Sequence, residues 1–256
     1  MTKRLLFFVL LNVSFLSCGL KVFYFLPQVP QVNITITKTD AVLDLESLSE
    51  FSDIGASYSI YYKIYMSDFN TITQLEEEFS SISTTLGNDF SALKSYTDPA
   101  VSTQVTDANT FRTRRYYELQ FEERNIITNG NDIFNIVFPN FAGEIPYITA
   151  RKIIDPITRE PVKYNLFRAN EFNGVSFNND PDRYFFFTSD LIEKTDHVNY
   201  INNDVFLRGT SSDPIKTDPY AFVSMYIVAV GYDPEDFNSI YGKPTHIGVF
   251  RLTNKF

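Results

Sequence analysis

With one cysteine, two histidines, ten glycines and no tryptophan in 256 residues, the chain lacks the raw material of most catalytic centres. Cys18, the lone cysteine, has no partner within the chain for a disulfide. Zinc sites draw Cys and His together at short spacing, yet His197 and His246 stand far apart with no cysteine beside either. There is no Gly-x-Ser-x-Gly elbow, His-Glu-x-x-His helix, P-loop or dinucleotide fingerprint, and so few glycines leave little for a loop that cradles phosphate. Classical hydrolase, redox and nucleotide chemistry are disfavoured, and neither a metal nor a cofactor is expected. Positive charge is also scarce, with 22 Lys and Arg against 31 Asp and Glu. Phosphate backbones are bound by Lys and Arg surfaces, so this balance argues against a nucleic-acid partner and against binding anionic lipid by charge.

What the chain has is a short apolar leader. Lys3 and Arg4 precede a nearly all-apolar run from Leu5 to Leu16, broken by Asn12 and Ser14. A helix needs roughly twenty apolar residues to cross a bilayer, so this run is a signal h-region and not a span. The longest later run, Ala221 to Val230, contains Ser224 and is also too short. The residues Phe15-Leu16-Ser17-Cys18-Gly19 resemble a lipobox, with Phe in place of the usual leading Leu, and are most similar to the looser lipoboxes of spirochaete lipoproteins. That resemblance implies a signal peptide over 1–17, lipid on Cys18 as the mature N-terminus, and a tether over 18–31. The alternative is an ordinary signal peptide cut near Ser17, leaving a free thiol. Lys3 and Arg4 leave with the leader and no acid does, so the formal charge moves from −9 to −11. Two or more acyl chains hold a protein stably at a membrane. The expected location is therefore exported and membrane-anchored, on the periplasmic face or the cell surface. Because Leu20 to Leu26 is apolar and aromatic, the folded body is expected to begin close to the membrane.

Twenty-five Phe and sixteen Tyr predict a folded, aromatic core. Val32, Ile34 and Ile36 alternate with polar residues, as a half-buried strand does, and Tyr58 to Met66 alternates more strongly. Its Tyr58, Ile60, Tyr62, Ile64 and Met66 fall on one face, with Ser59, Tyr61, Lys63 and Tyr65 on the other. The period then changes. Ile72, Leu75, Phe79, Ile82, Leu86, Phe90 and Leu93 form a helical stripe, Thr73 and Glu76 fit a capping box, and Gly87-Asn88 fits a stop. The spacing predicts two helices, near 71–86 and 88–96, packed as a hairpin on the sheet. Short strands follow at Tyr116 to Glu122, Ile133 to Phe138, Tyr147 to Ile154, Val162 to Phe167, Tyr184 to Thr188 and Val205 to Arg208. Asn129-Gly130, Asp155-Pro156, Asn173-Gly174 and Asp180-Pro181 supply turns between them. Strands this short and regularly spaced favour an antiparallel sandwich.

Near the C-terminus, Tyr226 to Tyr232 alternates, Asp233 to Ser239 is turn-like, and Lys243-Pro244 leads into a last strand ending near Leu252. This resembles the closing hairpin of a fibronectin type III or related immunoglobulin-like sandwich, and Tyr58 to Ile64 is similar to the third strand of such domains. The resemblance covers about seventy residues and lacks the usual core Trp. It implies a mainly β fold: an antiparallel sandwich formed by 32–66 and 219–256 and elaborated by a large insertion. The insertion comprises a helical part over 67–112 and additional strands and loops over 113–218.

Residues with chemical potential remain few. Glu76-Glu77-Glu78 and Glu122-Glu123 could offer the paired carboxylates of a glycosidase, although such runs more often form solvated faces. The acidic turns Asn178 to Asp182 and Asn202 to Asp204 offer hard oxygen ligands without matching a calcium loop. The basic knot Arg112 to Arg115 reads as a solvent-facing strand entry. The expectation is a non-enzymatic envelope lipoprotein that binds a protein or glycan through loops on a rigid sandwich. The competing expectations are an envelope carbohydrate hydrolase using two acids, and a purely structural domain carrying a large apolar patch.

Overall fold

A computed structural model describes residues 25–67, 116–123, 125–128, 130–139, 144–168, 171–172, 175–176, 187, 192–195, 198–201, 205–208, 220–235 and 238–252. Sixteen strands occur among them: β1 (Ile34–Ile36), β2 (Asp40–Leu45), β3 (Ser57–Ser67), β4 (Tyr117–Glu118), β5 (Gln120–Phe121), β6 (Asp132–Val137), β7 (Tyr147–Ile154) and β8 (Pro161–Phe167) in the first part. Then come β9 (Glu171–Phe172), β10 (Val175–Ser176), β11 (Ile192–Thr195), β12 (Val198–Ile201), β13 (Val205–Arg208), β14 (Tyr220–Tyr232), β15 (Ser239–Tyr241) and β16 (Thr245–Leu252). The protein is mainly β, as its alternating patterns predict. The expected helices at 71–86 and 88–96, the strand at Tyr184 to Thr188 apart from Phe187, the turn at Asp180-Pro181 and the Arg112 to Arg115 knot lie outside the described residues.

The strands form two large sheets. The first runs β1-β2-β6-β7-β8-β5 and is antiparallel throughout. In the second, β14 pairs antiparallel with β3 from Tyr220 to Val230. The opposite edge of β14 is shared by β16 and β15, and the outer edge of β3 by β4 and β13. The β13–β3 pair is parallel, from Val205 opposite Ile64 to Arg208 opposite Ser67. It is a departure from the antiparallel expectation, allowed because β13 is reached through a long connection and not a hairpin.

The two sheets face each other across one apolar core. Ala41, Leu43 and Leu45 of β2, Phe134 and Ile136 of β6 and Ile148 of β7 meet Ile60, Tyr62, Ile64, Val223, Met225 and Ile227 from the second sheet. The core is aromatic at its centre. Phe138 stacks on Phe250 with ring centroids 5.0 Å apart, and Phe187 meets both Phe138 and Tyr62 edge-on. Offset-stacked and edge-on pairs of this kind add about 0.5–1.5 kcal/mol each beyond simple burial.

The first expected strand is only partly realised. Gln31–Asn33 is a 3-10 turn, Val32 is 85% exposed, and of the expected buried face only Ile34 is covered. Pairing on one side only, to β2, gives this edge segment too few neighbours to bury its whole apolar face. The stretch from Tyr116 to Glu122, expected as one strand, splits in two. Tyr117 lies opposite Tyr62 in the second sheet, and Gln120 lies opposite Phe167 in the first. Leu119 N–H donates to the Ile60 carbonyl at 2.7 Å before the chain crosses. The segment therefore changes sheets within five residues and makes a corner of the sandwich.

Turn chemistry matches the sequence where the turns are described. The Asp155 carboxylate accepts from the backbone of Ile157 and Thr158 at 2.7 and 2.8 Å, closing the β7–β8 hairpin. These backbone bonds, Thr158 first, hold its carboxyl below the usual carboxylate range. Phe172 lies opposite Val175, while Asn173-Gly174 itself lies outside the described residues. Gly130 takes a left-handed φ of 60°, and a Cβ there would meet the Glu46 carbonyl oxygen and, at 2.8 Å, the Tyr58 ring. Replacing it with alanine adds left-handed strain to an overpacked contact, so Gly130→Ala should cost about 2–4 kcal/mol. Urea unfolding followed by circular dichroism reads this directly; an unchanged midpoint would contradict the tight contact.

Candidate functional site

Alternation along β3, β4, β14 and β16 sends every second side chain away from the core, and the strand register aligns these side chains in rows. In one row Glu118 lies opposite Tyr61, Tyr61 opposite Tyr226 and Tyr226 opposite His246. In the next, Lys63 lies opposite Ser224 and Ser224 opposite Val249. This second face is nearly as buried as the core, with Lys63 at 1% and Ser224 at 0% exposure.

The buried face is polar and aromatic, so its hydrogen bonds matter. The Ser224 hydroxyl stands 3.3 Å from the Tyr116 hydroxyl and 3.3 Å from His246 Nε2. Tyr226 packs edge-on against Tyr116 and obliquely on the His246 ring, while Lys63 Nζ lies 5.9 Å from the centre of the Tyr116 ring. Burial pushes the His246 pKa down to about 4, so its imidazole is neutral at pH 7 and Nε2, in the tautomer protonated on Nδ1, accepts a hydrogen bond from Ser224. Burial first, then the nearby Glu118 and Tyr241, push the Tyr61 phenol far above its ordinary value and keep it protonated. A Ser–His pair at 3.3 Å has the reach of a nucleophile and its base. Here, however, Ser224 has no exposed surface and its hydroxyl is held between two partners.

Solvent reaches the adjoining corner instead. Where the chain changes sheets, the start of β3, the β4–β5 segment and the turn at 125–128 enclose a cleft of about 380 Å³. Ser57, Ser59, Glu118, Gln120, Asn125 and Thr128 line it with polar groups, and Tyr58 and Phe121 line it with rings. The Ser59 hydroxyl donates to Glu118 Oε1 at 2.8 Å, and Gln120 Nε2 donates to the Glu118 carbonyl at 3.3 Å. Tyr58 is fixed from behind by donating to the Glu46 carbonyl at 3.2 Å; burial and the Glu46 charge raise its pKa to about 12. The alternation of Tyr58 to Met66 puts Ser59 on the face away from the core. What sequence reasoning missed is that Glu118, Asn125 and Thr128 gather around it, because that depends on the corner at 117–121.

The other sequence candidates fall elsewhere. Glu122 and Glu123 are exposed and accept from the backbone N–H groups of Asn165 and Asn125. Cys18, His197, Glu76 to Glu78 and both acidic turns lie outside the described residues. Among the described residues no group of three or more His, Cys, Asp or Glu could hold a metal, and no helix is long and apolar enough to cross a membrane. Comparison with known proteins gives no match: no family model, no curated protein and no solved structure.

The buried imidazole sets a pH dependence. Its folded pKa lies below the 6.5 of an exposed histidine, so between about pH 6.5 and 4 the unfolded chain takes up a proton that the folded chain refuses. Stability is fully present above this window and falls as the pH drops through it, by up to about 3 kcal/mol from this group. Unfolding free energies measured from pH 7 to pH 4 should decline more steeply for the wild type than for His246→Gln; parallel curves would contradict a buried neutral His246.

Proposed function

We propose that the chain is a lipid-anchored cell-envelope protein, exported and held by lipid on Cys18, that binds a protein or glycan ligand without altering it chemically. The observation that carries this reading is the corner cleft. It offers one carboxylate, amides and hydroxyls on a rigid two-sheet frame, which are groups that hold and orient a ligand. A hydrolase working through two acids would need a second carboxylate facing Glu118, and the described lining contributes none.

Two further features support the reading. Leu26 and Val29 are already packed into the core cluster. The packed body therefore begins eight residues after Cys18, which leaves room for only a short tether to a membrane surface. The antiparallel order β3-β14-β16 also agrees with the third strand and closing hairpin of an immunoglobulin-like or fibronectin type III sandwich. The β6-β7-β8 meander in the opposing sheet goes beyond that plan.

The anchoring claim is tested by expressing the full chain in a lipoprotein-processing bacterium with a labelled fatty acid. Wild-type protein should carry label and sediment with membranes, whereas Cys18→Ser should be unlabelled and released into the soluble fraction. Label and sedimentation that persist in Cys18→Ser would refute the anchor. Protease added to intact and to opened cells then separates surface from periplasmic display; degradation only after cell lysis would refute export.

A further inference from the structure

We infer that the corner cleft is a saccharide site, taking a neutral sugar unit of one or two rings. This inference rests on the binding-module reading above and narrows it to a ligand class.

The argument begins with which polar groups are already used. Glu118 lines the cleft with Oε1 occupied by the Ser59 hydroxyl, and its Oε2 has no hydrogen bond among the described residues. Gln120 spends one amide N–H on the Glu118 carbonyl and keeps its own side-chain oxygen. The Asn125 side-chain amide and the Ser57 and Thr128 hydroxyls have no hydrogen-bond partner among the described residues. The cleft thus presents a mixture of donors and acceptors, held on three strands and a turn.

A ligand must match that mixture. Sugar hydroxyls each donate and accept, and adjacent hydroxyls on a ring present paired groups to a planar carboxylate or amide. A purely apolar ligand would strand the cleft's polar groups without partners, at about 1–3 kcal/mol for each one desolvated. Anionic ligands are disfavoured because the described lining contains no Lys or Arg and includes Glu118, in a chain of net charge −9. Phe121, half-buried in the wall, supplies a ring for the C–H face of a sugar. At about 380 Å³ the cleft lies near the small end of ligand pockets, which suits a mono- or disaccharide unit and is too small for a folded epitope.

The test uses the whole mature chain. It is screened by saturation-transfer NMR against neutral hexoses and N-acetylhexosamines, their disaccharides, and uronic and sulfated sugars as anionic controls. At least one neutral sugar should bind, the anionic controls should not, and Asn125→Ala and Glu118→Gln should each weaken binding about tenfold or more. Asn125 is an exposed turn residue and Glu118→Gln is isosteric, and circular dichroism verifies that both variants fold. Glu160→Gln, on the β7–β8 turn, should bind as the wild type does. Failure of every neutral sugar, or binding that the two cleft substitutions leave unchanged, overturns the saccharide assignment. A photo-crosslinker at position 125, used on living cells, distinguishes the two failures. A crosslinked protein with no sugar binding refutes the saccharide claim and leaves the binding-module reading standing; absence of both refutes the two together.

Discussion

Everything in this fold hangs on the burial of β14 on both of its faces. From Ala221 to Ala229 no side chain is more than 2% exposed. Alternate residues enter the core between the sheets, and the ones between them enter the polar, aromatic layer behind. A strand covered on both sides reads as an almost continuous apolar run, which is why Ala221 to Val230 resembles a short membrane segment in the sequence. Ser224 interrupts that run where its hydroxyl finds Tyr116 and His246, so this buried hydroxyl is satisfied. A buried hydroxyl left without a partner there would cost about 1–3 kcal/mol.

The cleft follows from the same arrangement. With β14 at its middle, the second sheet can extend beyond β3 only along that strand's outer edge, where β4 pairs for two residues before the chain leaves for β8. At that crossing the two sheets part, and the space is lined by whatever the corner carries: Glu118, Gln120 and Phe121, with Asn125 and Thr128 on the following turn. Gly130 closes the arrangement from behind by letting the backbone pass against Tyr58 and Glu46. The rigid core and the ligand-sized gap are thus two results of one topology.

Much of this was legible in the sequence because alternation is a local signal. Tyr58 to Met66, Tyr147 to Ile154 and the closing strands were visible as strands, and Asp155-Pro156 as their turn. The strand Asp40–Leu45 is hard to see in the sequence, because Ala41-Val42-Leu43 is an unbroken apolar run and only the burial alternates. At Val32 alternation predicts an inward face, but alternation does not tell whether a neighbour covers it, and Val32 stays exposed. The rows Glu118-Tyr61-Tyr226-His246 and Lys63-Ser224 were out of reach, because both depend on the register of β3 against β14, strands more than a hundred residues apart, which long-range packing sets. The parallel pairing of β13 with β3 was hidden in the same way.

The most direct test of the account is hydrogen exchange measured peptide by peptide on the native protein. If β14 organises the fold, amides in 221–229 should be the slowest in the chain. Amides in β6 and β7 should exchange with the same free energy, because both sheets share one core and open together. Exchange of 221–229 at loop rates, or opening of the first sheet while β14 stays protected, would contradict the account.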